Sequence, residues 1–174
     1  MKKYLNYIIF LGLLIAIILV YIESKNSSPK IAYVNLESLY NDFQMKKELE
    51  GKLSNVQEAR KGILDSMKIQ LNMLSVAIKS EKDETAIRKF QLYKQEYLFR
   101  EKSFDEENRM TTQTYSNQIW KQINQYVKDY GKSEGYDYII GAEGSGTIMY
   151  ATEKNNLTAL LTEYINSRYT GDKK

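Results

Sequence analysis

The feature that most constrains the fold is a pair of long stretches in which apolar residues recur at helical spacing. Neither stretch contains a proline, and their apolar residues are mostly three, four or seven positions apart, which is the spacing of one helix face. The stripe of the first stretch is Leu53, Val56, Ile63, Met67, Leu71, Leu74 and Ile78, and that of the second is Ile87, Phe90, Tyr97, Phe104, Tyr115, Ile119, Ile123, Tyr126 and Tyr130. The pattern predicts two long helices, one from Leu36 to about Lys79 and one ending at Gly131.

A short polar segment, residues 80–84, separates the two stretches. At a rise of 1.5 Å per residue, each helix would be about 65–70 Å long. Two helices of nearly equal length around one polar break are typical of an antiparallel hairpin, which we place at residues 37–130. The alternative is one broken helix that runs straight on.

The sequence on either side of the hairpin indicates a small body with strands. Residues 31–34 favour a strand, and Asn35 is suited to cap the helix that follows. After Gly131, residues 136–140 and 147–151 favour two strands joined as a β-hairpin by the glycine-rich turn at 141–146. Asn155 or Asn156 would then cap a final amphipathic helix. We expect the body to comprise residues 30–36 and 131–170, so the fold class is a mostly helical α+β protein.

The predicted core of this body is apolar and aromatic. Its members are Ile31, Tyr33, Val34, Tyr138, Ile140, Ile148, Tyr150, Leu157, Leu160, Leu161, Tyr164 and Ile165. A core of this size rarely stabilises itself without cross-links, and the chain contains no cysteine. We therefore expect a homo-oligomer.

The N-terminal region, residues 1–29, has the character of an export signal or membrane anchor followed by a linker. Residues 4–22 carry no charge and follow Lys2 and Lys3, and the only proline of the chain, Pro29, ends the linker. This run is long enough to span the inner membrane, and no convincing cleavage site follows it. We expect an uncleaved anchor, with a cleaved signal peptide as the alternative.

The composition argues against enzymes, metal sites and nucleic-acid binding. The chain has no histidine and no cysteine, which removes the usual nucleophiles, zinc ligands and proton-transfer groups. Its formal charge is only +3, which is too small to indicate a nucleic-acid-binding protein. The acidic groups Glu106 with Glu107, and Glu81 with Asp83 and Glu84, fit a solvated helix surface, and the glycine-rich stretch lacks the lysine of a phosphate-binding loop. We expect no catalytic residues, no metal and no cofactor.

Several apolar residues of the predicted hairpin do not fit its internal stripe. They are Ile69, Met73, Leu92, Tyr93, Leu98, Phe99 and Met110. They are either contacts between arms of an oligomer or an exposed apolar surface, and methionine adapts well to irregular apolar partners. Polar residues at the stripe positions Lys94, Glu101, Asn108 and Thr111 predict that the middle of the arm is held less tightly than its ends.

Both ends of the folded region resemble the Skp/OmpH family of periplasmic chaperones. The run Lys-Ile-Ala-Tyr-Val-Asn-Leu-Glu-Ser-Leu-Tyr at 30–40 is similar to the start of the mature family members. The run Gly-Tyr-Asp-Tyr-Ile-Ile-Gly-Ala at 135–142, then a turn, Ile-Met-Tyr-Ala-Thr at 148–152 and the final helix resemble their C-terminal end.

The resemblance implies a homotrimer with a shared β core and three hairpins that project as tentacles around a cavity. Such a trimer holds unfolded outer-membrane proteins without ATP in the periplasm. Family members are commonly released from a cleaved signal and strongly basic, whereas here the tip at 79–89 carries four basic and three acidic residues. We therefore expect apolar contacts along the arms to matter more than charge. The alternative function is a structural or adaptor hairpin of an envelope export complex.

Overall fold

A computed structural model describes residues 2–26, 28–81, 84–144, 146 and 148–171. In chain order the elements are α1 (Lys2–Asn26), β1 (Ile31–Asn35), α2 (Leu36–Asp42), α3 (Gln44–Glu81), α4 (Glu84–Glu134), β2 (Tyr138–Ala142), a 3₁₀ turn (Glu153–Asn155) and α5 (Thr158–Thr170). This is the mostly helical α+β architecture that the sequence predicts.

Helices α3 and α4 form the antiparallel hairpin. Arg60 of α3 bonds to Glu107 and Asn108 of α4, although these residues are far apart in sequence. Such contacts rule out one helix running straight on. The helices contain 38 and 51 residues, which corresponds to about 57 and 77 Å. Of the predicted tip, Lys82 and Asp83 lie outside the described residues.

The first helical stretch is not continuous, which corrects the prediction of one helix from Leu36. Helix α2 ends at Asp42, Phe43 is extended with φ −71° and ψ 126°, and α3 begins at Gln44. The side chain of Phe43 is completely buried. Burial of a large aromatic ring contributes more than the continuation of one helical turn, so tertiary packing overrides the local preference for helix.

The sheet differs from the predicted β-hairpin. Strand β2 pairs in parallel with β1, with Ile31 opposite Tyr138 and Asn35 opposite Ala142. On its other edge β1 bridges to Asn156, whose neighbour Leu157 donates its N–H to the Tyr33 carbonyl at 2.9 Å. Within the described residues, Ile148 to Tyr150 form no strand. The prediction failed because the β propensity of a segment does not determine which strand it pairs with.

The C-terminal end of α4 also lies beyond its predicted position at Gly131. The helix continues to Glu134 and ends at Gly135, whose φ of 68° is the left-handed conformation of a helix C-terminus. Lys30 ties this end to β1, since its Nζ donates to the Glu134 carbonyl at 2.6 Å and its backbone N–H donates to Asp137 at 2.7 Å. The contacts of Lys30 therefore hold the end of α4 beside the start of β1.

The core lies where the base of the hairpin meets the body. Its fully buried members come from β1, α2, the Phe43 break, α4 and α5, and are Val34, Leu39, Phe43, Ile119, Ile123, Leu161 and Ile165. Trp120, Tyr126 and Tyr130 pack against it. Asn35 accepts from the Ser38 N–H at 2.9 Å and Asn156 accepts from the Thr158 N–H at 3.0 Å. Asn35 is thereby the N-cap of α2, as predicted. The N-cap of α5 is instead Leu157, which has no side-chain cap hydrogen bond, so the prediction of Asn155 or Asn156 at this position was wrong.

The predicted body residues divide into three groups. Val34, Leu157, Leu161 and Ile165 are buried, and Tyr33, Ile148 and Tyr164 are half-buried. Ile31, Tyr138, Ile140, Tyr150 and Leu160 are exposed in the single chain. A shared oligomer core over the exposed group stays a prediction.

The prediction of a membrane-spanning helix over residues 4–22 is not supported. These residues belong to α1, and its described side chains are exposed. In the described part of the chain, no helix is both long enough and apolar enough to cross a bilayer.

The adjacent leucines of α5 provide a direct test of where the core lies. Leu161 is completely buried, whereas Leu160 is 57 % exposed. Leu161→Ala should lower the free energy of unfolding by about 2–5 kcal/mol, because it removes buried apolar surface and leaves a cavity. At protein concentrations low enough to keep the chain monomeric, the matched Leu160→Ala change should cost less than about 1 kcal/mol. Urea unfolding followed by circular dichroism measures both, and equal costs would contradict this core.

Candidate functional site

The α3 side of the hairpin carries an exposed apolar stripe that faces away from α4. Ile69, Met73 and Val76 are 61 %, 68 % and 67 % exposed, and with Asn72 they line a shallow groove. Their spacing of four and three residues keeps them on one helix face. Met67 and Leu71 point the other way, into the seam with α4, and Met67 is buried. We call Ile69, Met73 and Val76 the α3 stripe.

Helix α4 carries a second stripe, formed by Leu92, Phe99 and Met110, which are 62 %, 73 % and 67 % exposed. The separation of 18 positions between Leu92 and Met110 is about five helical turns, so these side chains lie on one face. Tyr97 and Ile119 project from the opposite face and are buried. We call Leu92, Phe99 and Met110 the α4 stripe.

The two stripes lie on opposite outer sides of the hairpin, and most of their residues are at the same height. The contact between Lys68 of α3 and Tyr97 of α4, with Nζ 5.7 Å from the ring centre, shows which residues face each other. Ile69 and Met73 are therefore level with Leu92 and Phe99. These four residues lie within about 25 Å of the tip, from the rise per residue. An arm of this kind offers apolar side chains to partners on two sides.

The predicted client-binding residues differ in their position and exposure. Ile69, Met73, Leu92, Phe99 and Met110 belong to the stripes, while Leu98 is 51 % exposed at their flank and Tyr93 is half-buried. Val76 was not among the predicted residues, although it is three positions after Met73 and seven after Ile69. That spacing was a sufficient signal, since it completes a helical face.

Polar contacts hold the middle of the arm, where the predicted seam becomes polar. The Arg60 guanidinium forms an ion pair with Glu107, donates to the Asn108 side chain and lies 5.2 Å from the Phe104 ring centre. The side-chain oxygen of Asn108, one of the polar residues at the predicted seam positions, therefore has a hydrogen-bond donor. Ion pairs near the surface contribute little compared with apolar packing. A looser arm middle stays a prediction.

A second polar contact lies at the height of the stripes, where Tyr97 falls between Leu92 and Phe99 in the sequence. Tyr97 is buried in the seam and its hydroxyl donates to Glu101 at 2.5 Å. This bond to a carboxylate, together with burial, raises the pKa of Tyr97 above its ordinary value. The hydroxyl therefore stays a hydrogen-bond donor throughout the neutral range, and it aligns Glu101, another of the polar stripe residues.

The chemistry available at this site is contact with apolar surface. Among the described residues, no polar or charged side chain is buried, and no group of His, Cys, Asp and Glu is arranged to hold a metal ion. The stripes instead present flexible aliphatic and thioether side chains, which adapt to partners of irregular shape. An arrangement of this kind can cover apolar segments of another chain.

The body has a further exposed apolar surface around β2. Tyr138 and Ile140 of this strand are 60 % and 40 % exposed, and Met149 and Tyr150 are 89 % and 85 % exposed. Within the described residues β2 pairs only with β1, so its other edge has no strand beside it. An open strand edge next to exposed apolar residues is a surface on which another chain can pair.

Comparison with known proteins identifies the family and the fold. The family model of OmpH-like outer membrane proteins matches residues 30–165. The chaperone protein Skp of Pectobacterium atrosepticum is 26 % identical over 149 residues, which cover 78 % of this chain and 85 % of that protein. The crystal structure of an OmpH-like protein from Caulobacter crescentus CB15 has the same fold, with a TM-score of 0.71 at 11 % identity over 82 % of this chain and 86 % of the other. Since the matched region runs from just before β1 into α5, the protein belongs to the OmpH-like outer membrane protein family.

Proposed function

We propose that the protein is an ATP-independent holdase chaperone that binds unfolded outer-membrane proteins between its helical arms in the periplasm. The observation that carries the proposal is the pair of exposed apolar stripes on opposite sides of the hairpin. The related Skp is itself named a chaperone. The uncharged run at 4–22, which follows Lys2 and Lys3, fits the export signal that a periplasmic protein needs.

The binding strength of such a surface suits a holdase. Full burial of one large apolar side chain contributes about 1.5–3 kcal/mol, and partial contact contributes less. Each single contact is therefore weak, while several together retain an unfolded chain. A client held in this way is released when it folds into the outer membrane and its apolar side chains contact lipid instead, so no nucleotide is needed.

Charge contributes little to binding in this proposal. From residue 26 onward the chain has 22 basic and 21 acidic residues, because Lys2, Lys3, Glu23 and Lys25 precede it. Basic residues near the tip, such as Arg88 and Lys89, are accompanied by acidic ones such as Glu84. A balanced surface gives no strong long-range attraction for acidic clients.

We further propose that the chain acts as a homotrimer. The exposed residues Tyr138, Ile140, Met149 and Tyr150 surround the open edge of β2, and exposed apolar groups of this kind are normally covered. The β-prone segment at 148–150 has no strand partner among the described residues of its own chain. Pairing of this segment with the β2 edge of a neighbouring chain would satisfy both and form a shared β core.

The client-binding proposal predicts the effect of making both stripes polar. The double change Met73→Gln and Phe99→Gln removes apolar contact on both sides of the arm while both helices keep good helix-forming residues. The concentration needed to suppress aggregation of a denatured outer-membrane β-barrel protein by half should rise about tenfold, which corresponds to about 1.4 kcal/mol of lost binding. Light scattering after dilution from urea measures this.

The matched control is Gln70→Ala with Gln91→Ala, two exposed polar positions on the same helices. It should leave suppression unchanged. If the stripe variant suppresses aggregation as well as the unchanged protein does, the stripes do not bind clients. Raising NaCl from about 0.05 to 0.5 M screens surface charges and should change suppression less than about twofold, whereas a tenfold loss would assign binding to charge.

The trimer proposal predicts the effect of a charge placed on the exposed body surface. Tyr150→Asp should convert the trimer to monomers at micromolar concentration, because an unpaired carboxylate is costly in an apolar interface. The control Lys154→Asp alters the exposed 3₁₀ turn nearby and should leave the trimer intact. Sedimentation velocity measures the mass, and a monomeric unchanged protein would refute the proposal.

A further inference from the structure

The two helices of the arm join the body in different ways. Helix α4 continues without a break from the arm to Glu134, and its residues Ile119 and Ile123 lie in the core. Helix α3 is separated from α2 by the extended residue Phe43. A change in the direction of the arm therefore requires α4 to bend, whereas on the α3 side rotation before the Phe43 carbonyl is sufficient, because this carbonyl stays bonded to the Lys46 and Lys47 N–H groups of α3 at 3.1 and 3.4 Å.

One side chain of α5 holds this break on both sides. The Asn166 amide nitrogen donates to the Asp42 carbonyl, at the end of α2, at 3.1 Å. Its oxygen accepts from the Gln44 N–H, at the start of α3, at 2.7 Å. Both are backbone groups that a helix end leaves without an internal partner. A single amide thus satisfies the end of one helix and the start of the next.

The last turn of α5 adds a second connection to α3. The Phe43 ring packs edge-on against Tyr169 at 5.5 Å between ring centres and against Tyr126 of α4 at 6.3 Å. The Tyr169 hydroxyl donates to Glu48, in the first turns of α3, at 2.8 Å. This bond to a carboxylate raises the pKa of Tyr169, so the hydroxyl keeps its proton. Helix α5 therefore contacts the arm at the first turns of α3.

We infer that Asn166 is a positioning residue that locks the arm at a pivot formed by Phe43, so that helix α5 sets the direction in which the arm leaves the body. The lock depends on side chains of α5 and backbone groups of the break, and not on the seam between α3 and α4. Its functional consequence rests on the proposed function, because the direction of the arms sets the width of the space that receives a client.

The distance from the body to the arm tests the inference directly. The full chain, kept in mild detergent, contains no native cysteine, so spin labels can be placed on Lys102→Cys in the arm and Lys154→Cys in the body. Diluting the labelled chain with excess unlabelled chain restricts the measurement to distances within one chain. A swing of about 20° moves a label about 30 Å from the pivot by about 10 Å.

Electron–electron double resonance should give one narrow distance distribution for the unchanged protein. Asn166→Ala removes both hydrogen bonds and should at least double its width, and Asn166→Asp, which keeps the acceptor and loses the donor, should broaden it less. Tyr169→Phe, which removes only the bond to Glu48, provides a milder variant if the Asn166 variants fail to fold. The control Ser167→Ala affects a hydroxyl that donates only within α5, to Tyr164, and should leave the width unchanged.

Circular dichroism separates a loosened joint from general unfolding. Broadening with unchanged helix content supports the inference, and an unchanged distribution in the folded Asn166→Ala and Tyr169→Phe variants overturns it. Suppression of client aggregation by the unchanged protein is measured separately. Its absence would refute the holdase proposal and leave the distance result standing.

Discussion

The packing of Phe43 and its neighbours at the base of the hairpin is the interaction on which the rest of the structure depends. The core around it brings together Leu39 of α2, Ile123 of α4 and Leu161 of α5, which are remote in sequence. Neither the body nor the arm has an independent core among the described residues. The arm is therefore anchored only when the C-terminal helix is in place, and formation of this core requires contacts across almost the whole folded chain.

Because the arm is anchored at its base, the side chains of its distal part need to pack only in the seam between α3 and α4. Residues such as Met67 and Tyr97 occupy the seam, and the polar contacts of Arg60 hold its middle. The outer faces of both helices are then available, and the chain places apolar side chains there rather than a uniformly polar surface. A protein that exposes such residues far from its core accepts a cost in solubility, which is reasonable when those residues serve binding.

Sequence periodicity was sufficient to predict the hairpin, because a long run of apolar residues at helical spacing has few other structural solutions. Local chemistry was sufficient for the cap at Asn35, whereas the N-cap of α5 is Leu157 rather than one of the two preceding asparagines. The stripes could be predicted in part, since residues that miss the seam of a two-helix arm must face outward. Val76 was missed although its spacing from Met73 fits the same face.

The remaining differences come from long-range contacts that no local pattern contains. Phe43 interrupts a helix without proline or glycine, because Tyr126, Tyr169 and Asn166 stabilise an extended residue there. Strand β2 pairs with β1 rather than with the next β-prone segment, and a parallel partner before the hairpin is not visible in local propensity. The end of α4 was placed at the wrong one of two nearby glycines, since Gly131 is tolerated inside a helix whose neighbours pack against it.

The central claim, that clients bind the outer apolar stripes of the arms, is tested most directly by site-specific photo-crosslinking to an unfolded outer-membrane protein. A photoreactive residue is placed in turn at Met73, at Phe99, at the charged tip position Lys89 and at the body position Lys154. We expect strong crosslinks from Met73 and Phe99 and weak ones from Lys89 and Lys154. Crosslinks concentrated at Lys89 or Lys154, with none from the two stripe positions, would contradict the claim.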